Sequence, residues 1–161
     1  MANTQYLLAR DTVMGAEGSA FLTDEGGKQH LLFMLKNINT SADIQSEDMK
    51  VVGTRIIQEK AAGAKLSGTA TLYYCTDYFL DMVLEYIHTG HMPYFDLQIT
   101  NNDPTTTIGT RVMAYYRCKL SGEIPLSKLD AETSMLDVEI SFSVGDVQKL
   151  EGFTDPAQLG S

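Results

Sequence analysis

The chain has 161 residues, 43% of them hydrophobic and 20% charged, with a formal net charge of −9. That size predicts a single domain with a proper core. No apolar run approaches the roughly 18 residues of a membrane-spanning helix, and the polar opening MANTQYLLARD does not have the pattern of a secretory signal. The acidic excess lies after residue 70, where 13 acids meet 5 bases, and it repels phosphates, which argues against sequence-reading nucleic-acid binding.

In chain order, residues 1–16 lack periodicity and read as an N-terminal arm. Glu17 to Thr23 is a short strand, and Asp24-Glu25-Gly26-Gly27 turns out of it. Gln29 to Ile38 is strand-like, although the continuous run LLFML leaves its facing unassigned. Asn39 to Lys50 is polar and turn-rich and predicts a long exposed loop at 39–50. Val51 to Glu59 reads as another strand, and Ala61 to Lys65 as a turn centred on Gly63.

From Gly68 to Ile99 the pattern is strand, helix, strand. Thr69 to Cys75 carries β-branched and aromatic residues at strand spacing, and Asp77 is placed as the N-cap of a helix. Phe79, Leu80, Val83, Leu84 and Ile87 make one broad apolar stripe that predicts the core face of that helix. Gly90 suits a left-handed cap and Pro93 stops continuation. Phe95, Leu97 and Ile99 then alternate with polar residues. Thr100 to Thr107 is a loop. Arg111 to Leu120 alternates, with Val112, Ala114, Tyr116, Cys118 and Leu120 on one face. Met135 to Val144 alternates more cleanly, with Leu136, Val138, Ile140, Phe142 and Val144 toward a core. Asp146 to Phe153 reads as a short edge strand, and 154–161 as a loose tail. The fold class is mainly β, an antiparallel sandwich or barrel capped by one α-helix.

Chemistry-bearing constellations are few. Asp81, Glu85 and His88 share a helix face at i, i+4 and i+7, a set that could bind a divalent metal but reads first as the helix's solvated side. His88 and His91 near the helix end could form a proton-transfer pair but more simply suit its dipole. Cys75 and Cys118 have no CxxC partner and read as small reduced core residues. No nucleophile elbow, zinc-protease, P-loop or dinucleotide fingerprint is present, so the residues predict no enzyme, no metal and no cofactor. Long alternating strands imply sheet edges that need protection. On residues alone this weakly favours a self-assembling β protein over a monomeric small-ligand barrel, with a metal-dependent enzyme third.

A resemblance adds to this. Val52-Gly53-Thr54-Arg55, Lys60-Ala61-Ala62-Gly63-Ala64 and Gly68-Thr69-Ala70-Thr71 resemble the middle of PBSX-type phage tail tube proteins. The similarity runs on through Phe79, the helix and Gly90 to Pro93-Tyr94-Phe95-Asp96-Leu97-Gln98. Gly15-Ala16-Glu17-Gly18 with Phe21-Leu22, and Gly109-Thr110-Arg111-Val112, extend it over about residues 14–120, while 39–50 and the part after Val144 depart from the pattern.

That resemblance implies a structural protein of the inner tube in contractile phage tails or phage-tail-like bacteriocins. Hexameric rings would share one continuous β-barrel and stack into a hollow tube, passing DNA or effectors without specific binding. The implied partners are the chain itself, tail sheath, tape measure, baseplate and tail terminator, with no membrane. The implied location is the virion tail, assembled in the bacterial host cytoplasm. Candidate lumen residues are Thr54, Gln58, Asp137, Glu139, Ser141 and Ser143, polar strand positions that are on balance not basic. The long 39–50 segment supplies candidate inter-ring contacts in Asp43, Ile44, Glu47, Asp48 and Met49.

Overall fold

A computed structural model describes residues 7–32, 34–132 and 135–156. Residues 1–6 of the predicted arm, Phe33 in the predicted second strand and 157–161 of the predicted tail lie outside the described residues. The strands are β1 (Gly18–Thr23), β2 (Gln29–Leu31), β3 (Leu35–Met49), β4 (Gln58–Tyr73), β5 (Phe95–Asn102), β6 (Thr110–Ser121), β7 (Asp137–Val144) and β8 (Asp146–Glu151). Among the described residues one α-helix, α1 (Tyr78–Thr89), follows β4 and precedes β5 in the chain. Every strand pairing among the described residues is antiparallel. The described residues form two compact units, the first from those within 1–33, 93–118 and 146–161 and the second from those within 34–92 and 119–145.

In the first unit β5 pairs with β1 on one side and β6 on the other, while β2 extends β1 and β8 extends β6. Leu22 faces Leu97, Leu97 faces Tyr115, and Phe95 faces Cys118, so one sheet face carries the apolar set. The smooth alternation predicted for β6 fails at Tyr116–Arg117. A bulge there inserts one extra residue, with Arg117 at φ 54°, and puts Tyr115 and Cys118 on the same side. The Asp96 carboxylate accepts the Arg117 backbone N–H at 3.0 Å and so holds the bulge. Residues 7–16 are also more ordered than a free arm. Ala9–Asp11 forms a 3-10 turn, the Met14 N–H donates to Asp103 at 2.9 Å, and the Thr107 hydroxyl donates to buried Asp11.

In the second unit β4 lies between β3 and β7, and the last residues of β6, Lys119 to Ser121, pair with β7. Gly68, Ala70 and Leu72 of β4 are buried and face Phe142, Ile140 and Val138 of β7. Gly68 is required by that contact, because a Cβ there would run into the Phe142 ring. α1 begins at Asp77 and ends at Gly90, which caps it at φ 78° and donates its N–H to the Tyr86 carbonyl. Asp77 sits at the cap without a side-chain capping bond; the Tyr78 N–H is met instead by the Thr76 hydroxyl at 3.3 Å.

The largest correction concerns 39–65. The predicted 39–50 loop is the outer part of β3, the predicted strand Val51–Glu59 is mostly the hairpin tip, and the predicted turn at Gly63 lies inside β4. Polar residues dominate that stretch because both faces of the ribbon are exposed, which erases the alternation that marks a half-buried strand. The helix stripe is rotated as well. Phe79 is buried as predicted and Met82 joins it; Leu80, Val83 and Leu84 are half-buried, and Ile87 is 58% exposed. Cys118 is buried as predicted, whereas Cys75 is exposed.

Candidate assembly surfaces

Three surfaces of the second unit carry functional potential. The first is the sheet face opposite the apolar one. Its rungs run Asn37–Thr71–Glu139, then Asn39–Thr69–Ser141–Ser121, then Ser41–Ser67–Ser143–Lys119. The next rung pairs Asp43 with Lys65. Strand alternation forces this result: burying Ala70, Leu72, Ile140 and Phe142 on one side turns every intervening hydroxyl and amide to the other. The face is mostly uncharged and hydrogen-bonding rather than acidic.

Four of the six predicted lumen residues lie on this face. Glu139, Ser141 and Ser143 sit within its rungs, and Asp137 continues it opposite Tyr73. Asp137 accepts from Lys36 Nζ at 3.1 Å and is approached by Lys128 Nζ at 3.5 Å. The hydrogen bond from Lys36 is the main cause holding its carboxyl below the usual carboxylate range; burial opposes it, and the charges of both lysines add to the lowering. The other two predicted residues are elsewhere. The Thr54 hydroxyl accepts the Ile56 N–H at 3.1 Å within the hairpin tip, and Gln58 opens β4 opposite Met49. Asn37, Asn39, Ser67, Thr69 and Thr71 also belong to this face and are not among the predicted lumen residues. Their polar-every-second-residue pattern was present, but the error at 39–50 hid the pairing that aligns them.

The second surface is the outer half of the β3–β4 hairpin. Every residue from Ser41 to Lys65 is exposed. Here Ala42 faces Leu66 and Ile44 faces Ala64. Beyond them Ala62 is an extra residue in β4, a bulge that increases the local twist. The predicted inter-ring residues all lie on this ribbon. Asp43 faces Lys65 and accepts from Gln45 at 2.8 Å; Glu47 faces Lys60; Asp48 faces Glu59; Met49 faces Gln58. The tip between Met49 and Gln58 exposes Val51, Val52, Ile56 and Ile57.

The third surface is a hollow beside the first turn of α1. It is lined by Leu72, Tyr74, Phe79, Leu80, Ile124 and Leu126 among others, with Asp77 also in its wall. The metal-like set Asp81, Glu85 and His88 is on the exposed side of α1, with His91 exposed beyond it. Among the described residues no group of three or more His, Cys, Asp or Glu is arranged to hold a metal ion.

The family model described as "Phage tail tube protein" matches residues 5–151. "Phage-like element PBSX protein XkdM" of Bacillus subtilis (strain 168) is 28% identical over 149 residues, covering 92% of this chain and 97% of that protein. The uncharacterized protein YqbM of the same strain is 28% identical over 155 residues, covering 96% and 97%. Among solved structures, a chain of the anti-feeding prophage baseplate superposes with TM-score 0.67 at 8% identity, covering 89% of this chain and 97% of that one. A chain of the extracellular contractile injection system PVC sheath–tube complex gives 0.61 at 11% identity, covering 92% and 98%. The SPP1 tail tube gives 0.60 at 10% identity, covering 92% and 83%. With a family match over nearly the whole chain and the same fold in these neighbours, the chain belongs to the phage tail tube protein family.

Proposed function

We propose that this tail tube protein builds the inner tube of a contractile tail or phage-tail-like particle by forming hexameric rings that stack around a continuous β-barrel. The observation that carries this reading is the β3–β4 hairpin, whose residues from Ser41 to Lys65 are all exposed. A two-stranded ribbon is marginal alone in water and becomes stable when further strands or packing complete it. Closing strands across subunits also protects their edges. The tail tube neighbours, one solved with its sheath and one within a baseplate, support sheath and baseplate as partners. Tape measure and terminator proteins would complete the tail, which is assembled in the host cytoplasm and carried on the virion.

The polar face of the second unit lines the lumen. Its hydroxyls and amides keep the wall wet, and its few basic groups, Lys119 and a Lys65 that faces Asp43, leave little to hold the DNA backbone. Asp137, Glu139, Ser141 and Ser143 belong to it, and Thr54 and Gln58 go instead with the hairpin arm. The arm makes the inter-ring contact through Asp43, Ile44, Glu47, Asp48 and Met49. Asp48 directly opposite Glu59 repels within an isolated ribbon, and a basic group on a neighbouring subunit relieves that repulsion.

Electron microscopy of the purified full chain over a range of concentration tests the reading. Rings with a central hole, or stacked tubes, are expected. A uniform monomer at every concentration would overturn it.

A further inference from the structure

The hairpin tip and the hollow beside α1 are opposite ends of one strand. β4 starts at Gln58, directly after the tip, and reaches the hollow at Leu72, one of its lining residues. At about 3.3 Å per residue, this 16-residue strand separates the two by about 50 Å. A tip can therefore never fill the hollow of its own chain.

The two ends are chemically matched. The tip presents Val51, Val52, Ile56 and Ile57, all exposed, with Val52 wholly so, and carries Arg55 among them. Large apolar side chains clustered at the end of a ribbon signal a contact surface. The hollow is walled by Leu72, Tyr74, Phe79, Leu80 and Ile124, and Leu126 on it is 53% exposed. Asp77 stands in that wall with its carboxylate unused in capping α1, and exposed Glu123 lies one residue before Ile124. An apolar knob bearing one cation thus complements an apolar hollow with one carboxylate, Asp77, in its wall.

We propose that the Val51–Ile57 tip of one copy seats in the hollow beside α1 of a second copy, with Arg55 opposite Asp77. Knob and socket at opposite ends make the contact heterologous, so each bound copy offers a new free socket and the arrangement propagates in one direction. This rests on the tube reading and specifies its stacking contact.

Cys75 lies between two lining residues, Tyr74 and Thr76, and is exposed, whereas Cys118 is buried, so the chain carries its own reporter. Val52→Cys is introduced into the full chain, assembly is checked by microscopy, and the sample is mildly oxidised and run on a non-reducing gel. Seated tips give a ladder of covalent oligomers, and adding Cys75→Ser removes it, leaving at most dimers. Tubes of normal length without a ladder, or a ladder that survives Cys75→Ser, overturn the proposal while the tube reading stands. If Val52→Cys forms no tubes, charge reversal decides: Arg55→Asp and Asp77→Arg should each abolish long tubes, and the double variant should restore them. A double variant as defective as the singles overturns the pairing. A wild-type chain that never assembles removes the tube reading and this proposal with it.

Discussion

β4 spends its second half, Leu66 to Tyr73, between β3 and β7, and its first half, Gln58 to Lys65, beside β3 alone. In the inner half every second residue is buried and large-to-small packing is tight, as at Gly68 against Phe142. In the outer half nothing is buried, yet the strand keeps its ladder to β3 as far as Gln58. The same strand thus obeys two rules. Its inner half is packed by its own chain, and its outer half has only its β3 partner among the described residues. A domain selected to work alone would have little use for so long an open ribbon, with its exposed edges and apolar tip.

The comparison is sharpest in paired truncations. Leu72→Ala, at a side chain 1% exposed, should cost about 2–5 kcal/mol in urea unfolding of unassembled protein. Ile44→Ala, at 59% exposure on the outer ribbon, should cost under about 0.5 kcal/mol there but shorten tubes. Equal costs in the unassembled protein would break the distinction. Gly68→Ala should cost about 1–3 kcal/mol, since the added methyl must displace the Phe142 ring; thermal unfolding measures it, and an unchanged midpoint would mean the sheet is looser than drawn.

A smaller effect follows from Asp137. Its folded-state carboxyl is lowered, chiefly by the Lys36 hydrogen bond, so its stabilising contribution is whole above the unfolded value of about 3.9 and fades as pH falls through the lowered one. Asp137→Asn should therefore flatten the acid limb of stability against pH, and Lys36→Ala should move the Asp137 carbon resonance titration upward. An acid limb of unchanged slope would remove Asp137 from the pH dependence. The mildest test is thiol reactivity. Burial, with the nearby Asp96 charge, pushes the Cys118 thiol up to about 12, so only exposed Cys75 should react with a thiol reagent in native protein. Two thiols reacting at one rate would show that the inner packing opens readily.

Much of this was legible before the structure, and the failures share a cause. Met135 to Val144 alternates because one side is core, so β7 and its inward set could be read directly. The helix was placed by Gly90 and by the stripe around Phe79. Its facing was off by part of a turn, since Met82 is buried and Ile87 is not. The β6 bulge at Arg117 inverts parity without any local composition signal. At 39–65 hydrophobic periodicity was silent for a structural reason: a ribbon exposed on both faces has no inside, so its polar half read as loop and its apolar tip as strand. The lumen candidates in β7 fell on one polar face because alternation there was read correctly, and Thr54 and Gln58 did not because their strand was misplaced.

Hydrogen exchange on the full chain, unassembled and as tubes, tests most directly whether the outer hairpin is completed by other copies. Amides of residues 43–57 should exchange within seconds to minutes in the unassembled protein and become strongly protected in tubes, while those of Leu66–Tyr73 remain protected in both. Equal exchange of residues 43–57 in the two states would contradict the claim that assembly, rather than the chain itself, stabilises this hairpin.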